Sequence, residues 1–118
     1  MMKSEASTST AARRSTADRR RDAEPLRVLG SQLPGNVGVL RLFGYLNGPG
    51  GCILAREANR LLKLGCPRVL IDFAGTRLVN RHGLAALADL NDTCGPRLAF
   101  RNLSPTVARI FQIVGLPS

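Results

Sequence analysis

The stretch RVLIDF, residues 68–73, limits the fold more than any other feature of the chain. Val69, Leu70, Ile71 and Phe73 form an apolar run without polar alternation, and Gly65-Cys66-Pro67 separates it from what precedes. A run this short is a strand rather than a helix, and its lack of alternation marks a buried, central place in a sheet. The rest of the chain must then supply neighbouring strands and a layer to cover them.

The flanking sequence supplies both. Residues 26–33 and 37–43 read as two strands joined by a Pro34-Gly35-Asn36 turn, the pattern of a hairpin. Asn47-Gly48-Pro49-Gly50-Gly51 breaks the chain, and a helix is expected over residues 51–64 with Leu54, Ala58, Leu61 and Leu62 on one face. A second helix is expected over residues 83–93, its inner side marked by Leu84, Leu87, Leu90 and Cys94, and a fourth strand over residues 96–101. Ser104 offers an N-cap oxygen and Pro105 fits the first turn of a third helix. In it Val107, Ile110, Phe111 and Val114 make an amphipathic stripe. The order strand, strand, helix, strand, helix, strand, helix predicts an α/β fold, a mixed four-stranded sheet with about three helices packed on it.

The 118 residues suffice for one domain. Aromatic residues are only 4% of the chain, so the core must be largely aliphatic. Residues 1–24 hold no large apolar side chain after Met2 and are expected to form a disordered, basic and polar tail, because they bury too little to offset the entropy of ordering. Four acidic residues and the lack of an apolar face argue against a transit peptide. Residues 25–118 form the expected domain.

The chain carries a formal charge of +9, and from Pro25 onward eleven Lys and Arg face four Asp and Glu, a net of +7. The basicity therefore belongs to the folded part and favours an acidic partner. Nucleic acid is one such partner, but stacking needs exposed aromatics, and Phe43, Tyr45, Phe73, Phe100 and Phe111 mostly sit in strand or helix patterns that should be core. No recognition-helix or RNA motif is visible, so no specific nucleic-acid partner is expected. Cys52, Cys66 and Cys94 form no CxxC pair, which leaves no disulfide framework, zinc site or cofactor to expect. No signal-peptide core and no run of 18 apolar residues is present, so membrane insertion is not expected and a cytoplasmic location fits. Asp72, His82 and the thiols show no triad, paired-carboxylate or phosphate-loop spacing, and an enzyme is not expected.

Three segments together carry a resemblance: VGVLRLFGYLN, VLIDFAGTRLVNRHGLAALADL and LAFRNLSPTVARIFQIVGL. In order and spacing they are similar to the STAS domain, the fold of bacterial anti-sigma factor antagonists, over about residues 26–116. The resemblance implies a non-enzymatic module of transcription regulation that signals by binding an anti-sigma factor which is also a serine kinase. It also implies a Ser or Thr before the second helix whose phosphorylation breaks the contact, since a phosphate adds about −1.5 to −2 charges to the contact surface. The family pattern there is Asp-Ser-Ser-Gly, and this chain has Asn80-Arg81-His82-Gly83. Arg81 falls at the phosphoacceptor position, and a guanidinium accepts no phosphate from such a kinase. The Gly-Glu-Leu-Asp end of the second strand is replaced by Gly44-Tyr45-Leu46-Asn47, while Asp72 matches the family's Asp. Relatives usually continue beyond Gly115-Leu116 into a further strand and helix, so some apolar surface is expected to be uncovered, a surface on which a homodimer could form.

The expected partner-binding set is Tyr45, Asn47, Thr76, Arg77, Asn80, Arg81, His82 and Gly83, with Arg81 as a fixed cation in place of a switchable hydroxyl. Thr76 is the alternative phosphoacceptor. His82, with no nucleophile paired to it, reads as a polar residue at the helix entry rather than a base. Arg56, Arg60 and Lys63 lie at helical spacing opposite the first helix's apolar face and read as a solvated stripe. Two other functions stay open: a STAS subunit or scaffold of a lipid, ABC-type or stress-signalling complex, and a basic nucleic-acid-binding protein.

Overall fold

The computed structural model describes residues 24–117, and the expected tail lies outside the described residues apart from Glu24. Four strands, β1 (Arg27–Leu33), β2 (Val37–Leu46), β3 (Arg68–Val79) and β4 (Leu98–Arg101), form one sheet in the order β1-β2-β3-β4. β1 pairs antiparallel with β2, and the pairs β2–β3 and β3–β4 are parallel. The helices are α1 (Gly48–Lys63), α2 (Arg81–Cys94) and α3 (Pro105–Val114), with a 3-10 turn at Gly95–Arg97 before β4. The mixed α/β architecture is the expected one.

The hairpin forms at Pro34-Gly35-Asn36, where Asn36 N–H donates to the Leu33 carbonyl at 3.1 Å and both Gly35 and Asn36 take positive φ. One face of the sheet, carrying Leu40, Leu42, Val69, Ile71, Phe73 and Leu98, meets all three helices. α1 contributes Leu54, Ala58 and Leu61, α2 contributes Leu87, Leu90 and Cys94, and α3 contributes Val107 and Phe111. Three of the four phenylalanines meet edge to face where α3 crosses β3 and β4, with ring centroids 5.1 Å apart for Phe100 and Phe111 and 5.7 Å for Phe73 and Phe111. Such pairs add to what their burial contributes.

RVLIDF is central, flanked by β2 and β4, but its two faces differ. Leu70 is only half-buried and Asp72 turns to the face opposite the helices, where Arg41 and Arg101 are its register partners. On that same face Leu29 and Leu33 of β1 stay 57% and 42% exposed.

Several boundaries move from expectation. β2 and β3 run past Phe43 and Phe73 to pair as Phe43↔Gly75, Tyr45↔Leu78 and Leu46↔Val79. Two register shifts lie in this stretch and Gly44 takes φ +104, so glycines and bulges hide the strand from a pattern of alternation. α1 starts at Gly48 because Asn47 caps it, its Oδ1 accepting from Gly50 N–H at 2.9 Å, and Pro49 suits the first turn. α2 starts at Arg81 rather than residue 83 for the same reason, with Asn80 as its cap. Pro96 belongs to the 3-10 turn and not to β4. In α3 the expected stripe ends early: Val107 and Phe111 are buried, but Val114 is 47% exposed, because Gly115 in the left-handed region turns the chain so that Leu116 packs inward instead.

Phe111 fixes α3 to the sheet. Phe111→Ala is expected to lower unfolding free energy by about 3–5 kcal/mol, measured by urea denaturation followed by circular dichroism.

Candidate partner-contact site

Because β2 and β3 are parallel, both end at the same side of the sheet, and each leads within two residues into a helix. The two connections are stitched together. Asn80 N–H donates to the Leu46 carbonyl at 3.0 Å, and Asn80 Oδ1 accepts from Gly83 N–H at 2.8 Å. Gly83 is buried against Leu46, and a methyl at this position would collide with the Leu46 carbonyl. Gly48 lies beside His82, since a Cβ there would stand 3.3 Å from the His82 Cβ. Gly51 packs against Ala86 one turn further along, so the first turns of α1 and α2 abut.

This corner brings together Tyr45, Asn47, Asn80, Arg81, His82 and Gly83 of the expected set. Arg81 and His82 are exposed, Tyr45 and Asn47 half-buried. Neither α1 nor α2 has an acidic residue in its first turn. The positive ends of two helix dipoles, the unpaired first-turn N–H groups and the Arg81 guanidinium therefore share one surface, which favours an anionic contact. Leu78, 45% exposed beside Tyr45, adds an apolar neighbour that the sequence pattern did not mark.

Two expected residues lie apart from the corner. Thr76 is fully buried, with its hydroxyl enclosed and without a hydrogen-bond partner, so it is corrected from a surface contact and alternative phosphoacceptor to an interior residue. The bulged register of β3 turns it inward. Arg77 turns to a groove of about 420 Å³ lined also by Glu24, Arg27, Phe43, Gly44, Ala74 and Gly75. The Arg27 guanidinium lies 5.7 Å from the Phe43 ring centroid, a cation–π contact. Sequence reasoning missed this groove, because it placed Phe43 in the core and ended both strands before the residues that open it.

Asp72 lies away from the corner and holds a second connection in place. Its Oδ1 accepts from Ala74 N–H at 2.9 Å and from Asn102 Nδ2 at 3.0 Å, tying β3 to the loop after β4. Arg101 Nε lies 3.4 Å from Oδ2, close enough for an ion pair but outside hydrogen-bond geometry. Burial pushes the carboxyl's pKa up, but the hydrogen bonds from Asn102 and Ala74 and the Arg101 charge outweigh it, so the group stays below its ordinary 3.8. Among the described residues no cluster of His, Cys, Asp and Glu could hold a metal, and no helix is long and apolar enough to cross a membrane.

In fold the chain is STAS-like, a mixed four-stranded sheet with three helices, as its likeness to solved structures shows. Among solved structures, the antagonist SpoIIAA in its unphosphorylated form matches with a TM-score of 0.63 at 19% identity, over 76% of this chain and 82% of that one. SpoIIAA of Bacillus in its phosphorylated form matches with a TM-score of 0.61 at 18% identity, over 76% and 85%. An anti-sigma factor antagonist from Mycobacterium paratuberculosis matches with 0.63 at 19% identity, over 79% and 82%. The murine anion transporter Slc26a9 matches with 0.56 at 14% identity, over 86% of this chain but 20% of that one. No protein-family model matches the sequence, and no curated protein matches it either.

Two outcomes follow. Gly83→Ala is expected to cost about 1–3 kcal/mol of stability, by overpacking against Leu46, as read in thermal or urea unfolding. Asp72 has a depressed folded pKa, so its contribution is present above the unfolded value near 4 and is lost as pH falls through the folded value. Asp72→Asn should therefore destabilise by about 1–3 kcal/mol at pH 7, and the gap from wild type should narrow as pH falls below 3.8 in paired denaturation curves.

Proposed function

We propose that this chain is a non-enzymatic, protein-binding regulatory module that acts as an anti-sigma factor antagonist, and that it docks an acidic surface on a serine-kinase-like anti-sigma factor through the α1–α2 corner. The observation that carries this reading is the exposed Arg81 beside two abutting helix N-termini that have no acidic residue in their first turns. A cation there is unfavourable for the isolated domain, and a partner carboxylate relieves it while satisfying free N–H groups. The likeness to SpoIIAA and the mycobacterial antagonist supports the class of partner. Because Arg81 stands where the family has its phosphoacceptor and Thr76 is enclosed, the contact is constitutive and not phosphorylation-controlled. Tyr45, Asn47, Asn80, His82 and Gly83 shape the contact, while Arg77, turned to the separate groove beside Phe43, takes no part in it. The protein works in the cytoplasm of a bacterium.

A second reading, a subunit or scaffold of a transport complex, draws on the likeness to Slc26a9. Calorimetric titration with the host's ATPase-fold anti-sigma factors separates the two. Arg81→Glu should weaken binding by tenfold or more, about 1.4 kcal/mol or above, with the fold intact by circular dichroism. Equal binding by wild type and Arg81→Glu, or none by wild type, overturns the proposal, and retention of transporter subunits indifferent to Arg81 favours the second reading.

A further inference from the structure

β1 forms one edge of the sheet. β2 pairs along one side of it in unbroken antiparallel register, from Arg27↔Phe43 to Leu33↔Val37, and no described strand pairs with the other side. Alternate residues of an antiparallel strand turn N–H and C=O away from the partner, so this side offers a row of backbone donors and acceptors. The devices that usually blunt such an edge are missing: VLGSQL contains no Lys, no Pro and no other charge, and the register has no bulge. All of these residues but Val28 are exposed.

A groove of about 220 Å³ runs along the edge between β1 and the far end of α1, lined by Gly30, Ser31, Gln32, Arg60, Leu61 and Leu64. Gly30 helps keep it open, since a Cβ there would come 3.3 Å from the Arg60 guanidinium. Leu64 is 59% exposed, and the Arg60 side chain is half exposed. An unpaired edge strand backed by a helix, with apolar and cationic lining between them, is the shape an extended peptide fills by joining the sheet.

We infer that the β1 edge accepts an extended, acidic segment of another protein as a fifth strand, with alternate side chains seated in the β1–α1 groove against Leu64 and Arg60. Charge selects this occupant. A second copy of the chain would bring a further +9, and residues 1–24 are themselves net basic, whereas Arg27 and Arg60 flank the edge. Glu57 holds Arg60 at 3.0 Å, but the pair is exposed and can exchange with a peptide carboxylate. The groove lies at the Leu64 end of α1 and the corner at its Gly48 end, so one domain can hold two partners at once.

The test is an NMR titration of the isotopically labelled full chain with an acetylated heptapeptide of alternating Glu and Val. Its N-methylated form and its Lys-Val counterpart serve as controls. Amide shifts should cluster at residues 28–33 and 60–64. Binding should weaken about tenfold or more with N-methylation, with Lys for Glu, with Arg60→Glu and with Leu64→Ser. Shifts centred on residues 45–48 and 80–83, equal binding of the N-methylated peptide, or no saturable shift at millimolar peptide would overturn the inference. So would contacts from residues 1–23 or from a second copy to this edge in the peptide-free protein.

Discussion

Because β2 and β3 run parallel, their ends leave the sheet side by side, and the chemistry of the candidate site follows from that pairing. Parallel strands need a crossover, which α1 provides, and the chain returns with α2 starting against the point where α1 started. The contact is close because Gly83 presents no side chain to Leu46 and Gly51 presents none to Ala86. Bulkier residues at either place would part the two helix starts and disperse the N–H groups and the Arg81 guanidinium that now share one surface.

The same end of the sheet also shows how polar groups keep the connections in place. Asn47, Asn80 and Ser104 each cap a helix with a side-chain oxygen, so all three helices leave the strand ends in fixed directions. Asp72 holds the loop after β4 through Asn102, which takes positive φ to reach it. The cationic corner is thus built on a frame of capped helix starts, and its exposed chemistry comes from Arg81 and His82 above all.

Much of this was legible in the sequence. The apolar residues of RVLIDF, the Pro34-Gly35-Asn36 turn and the Ser104-Pro105 helix start each have a local physical cause, and each element stands where expected. The far halves of β2 and β3 were not legible, since glycines at 44 and 75 and the shifted register erase alternation. That loss concealed the burial of Thr76 and the groove beside Phe43, both of which depend on which way a bulged strand turns its side chains. The asparagine caps at 47 and 80 could have been found, because each precedes a helix at capping distance. The free edge of β1 was beyond reach, since no local pattern tells an edge strand from an inner one in a short, half-apolar stretch.

The central claim, a STAS-like contact corner that holds its partner without a phosphorylation switch, meets its most direct test in the purified complex with an ATPase-fold anti-sigma kinase incubated with ATP and magnesium. Size-exclusion chromatography follows the complex, and mass spectrometry maps phosphate on the chain. The account predicts an intact complex and no phosphate within residues 76–83. Phosphate in that segment, or dissociation that requires ATP hydrolysis, would contradict it.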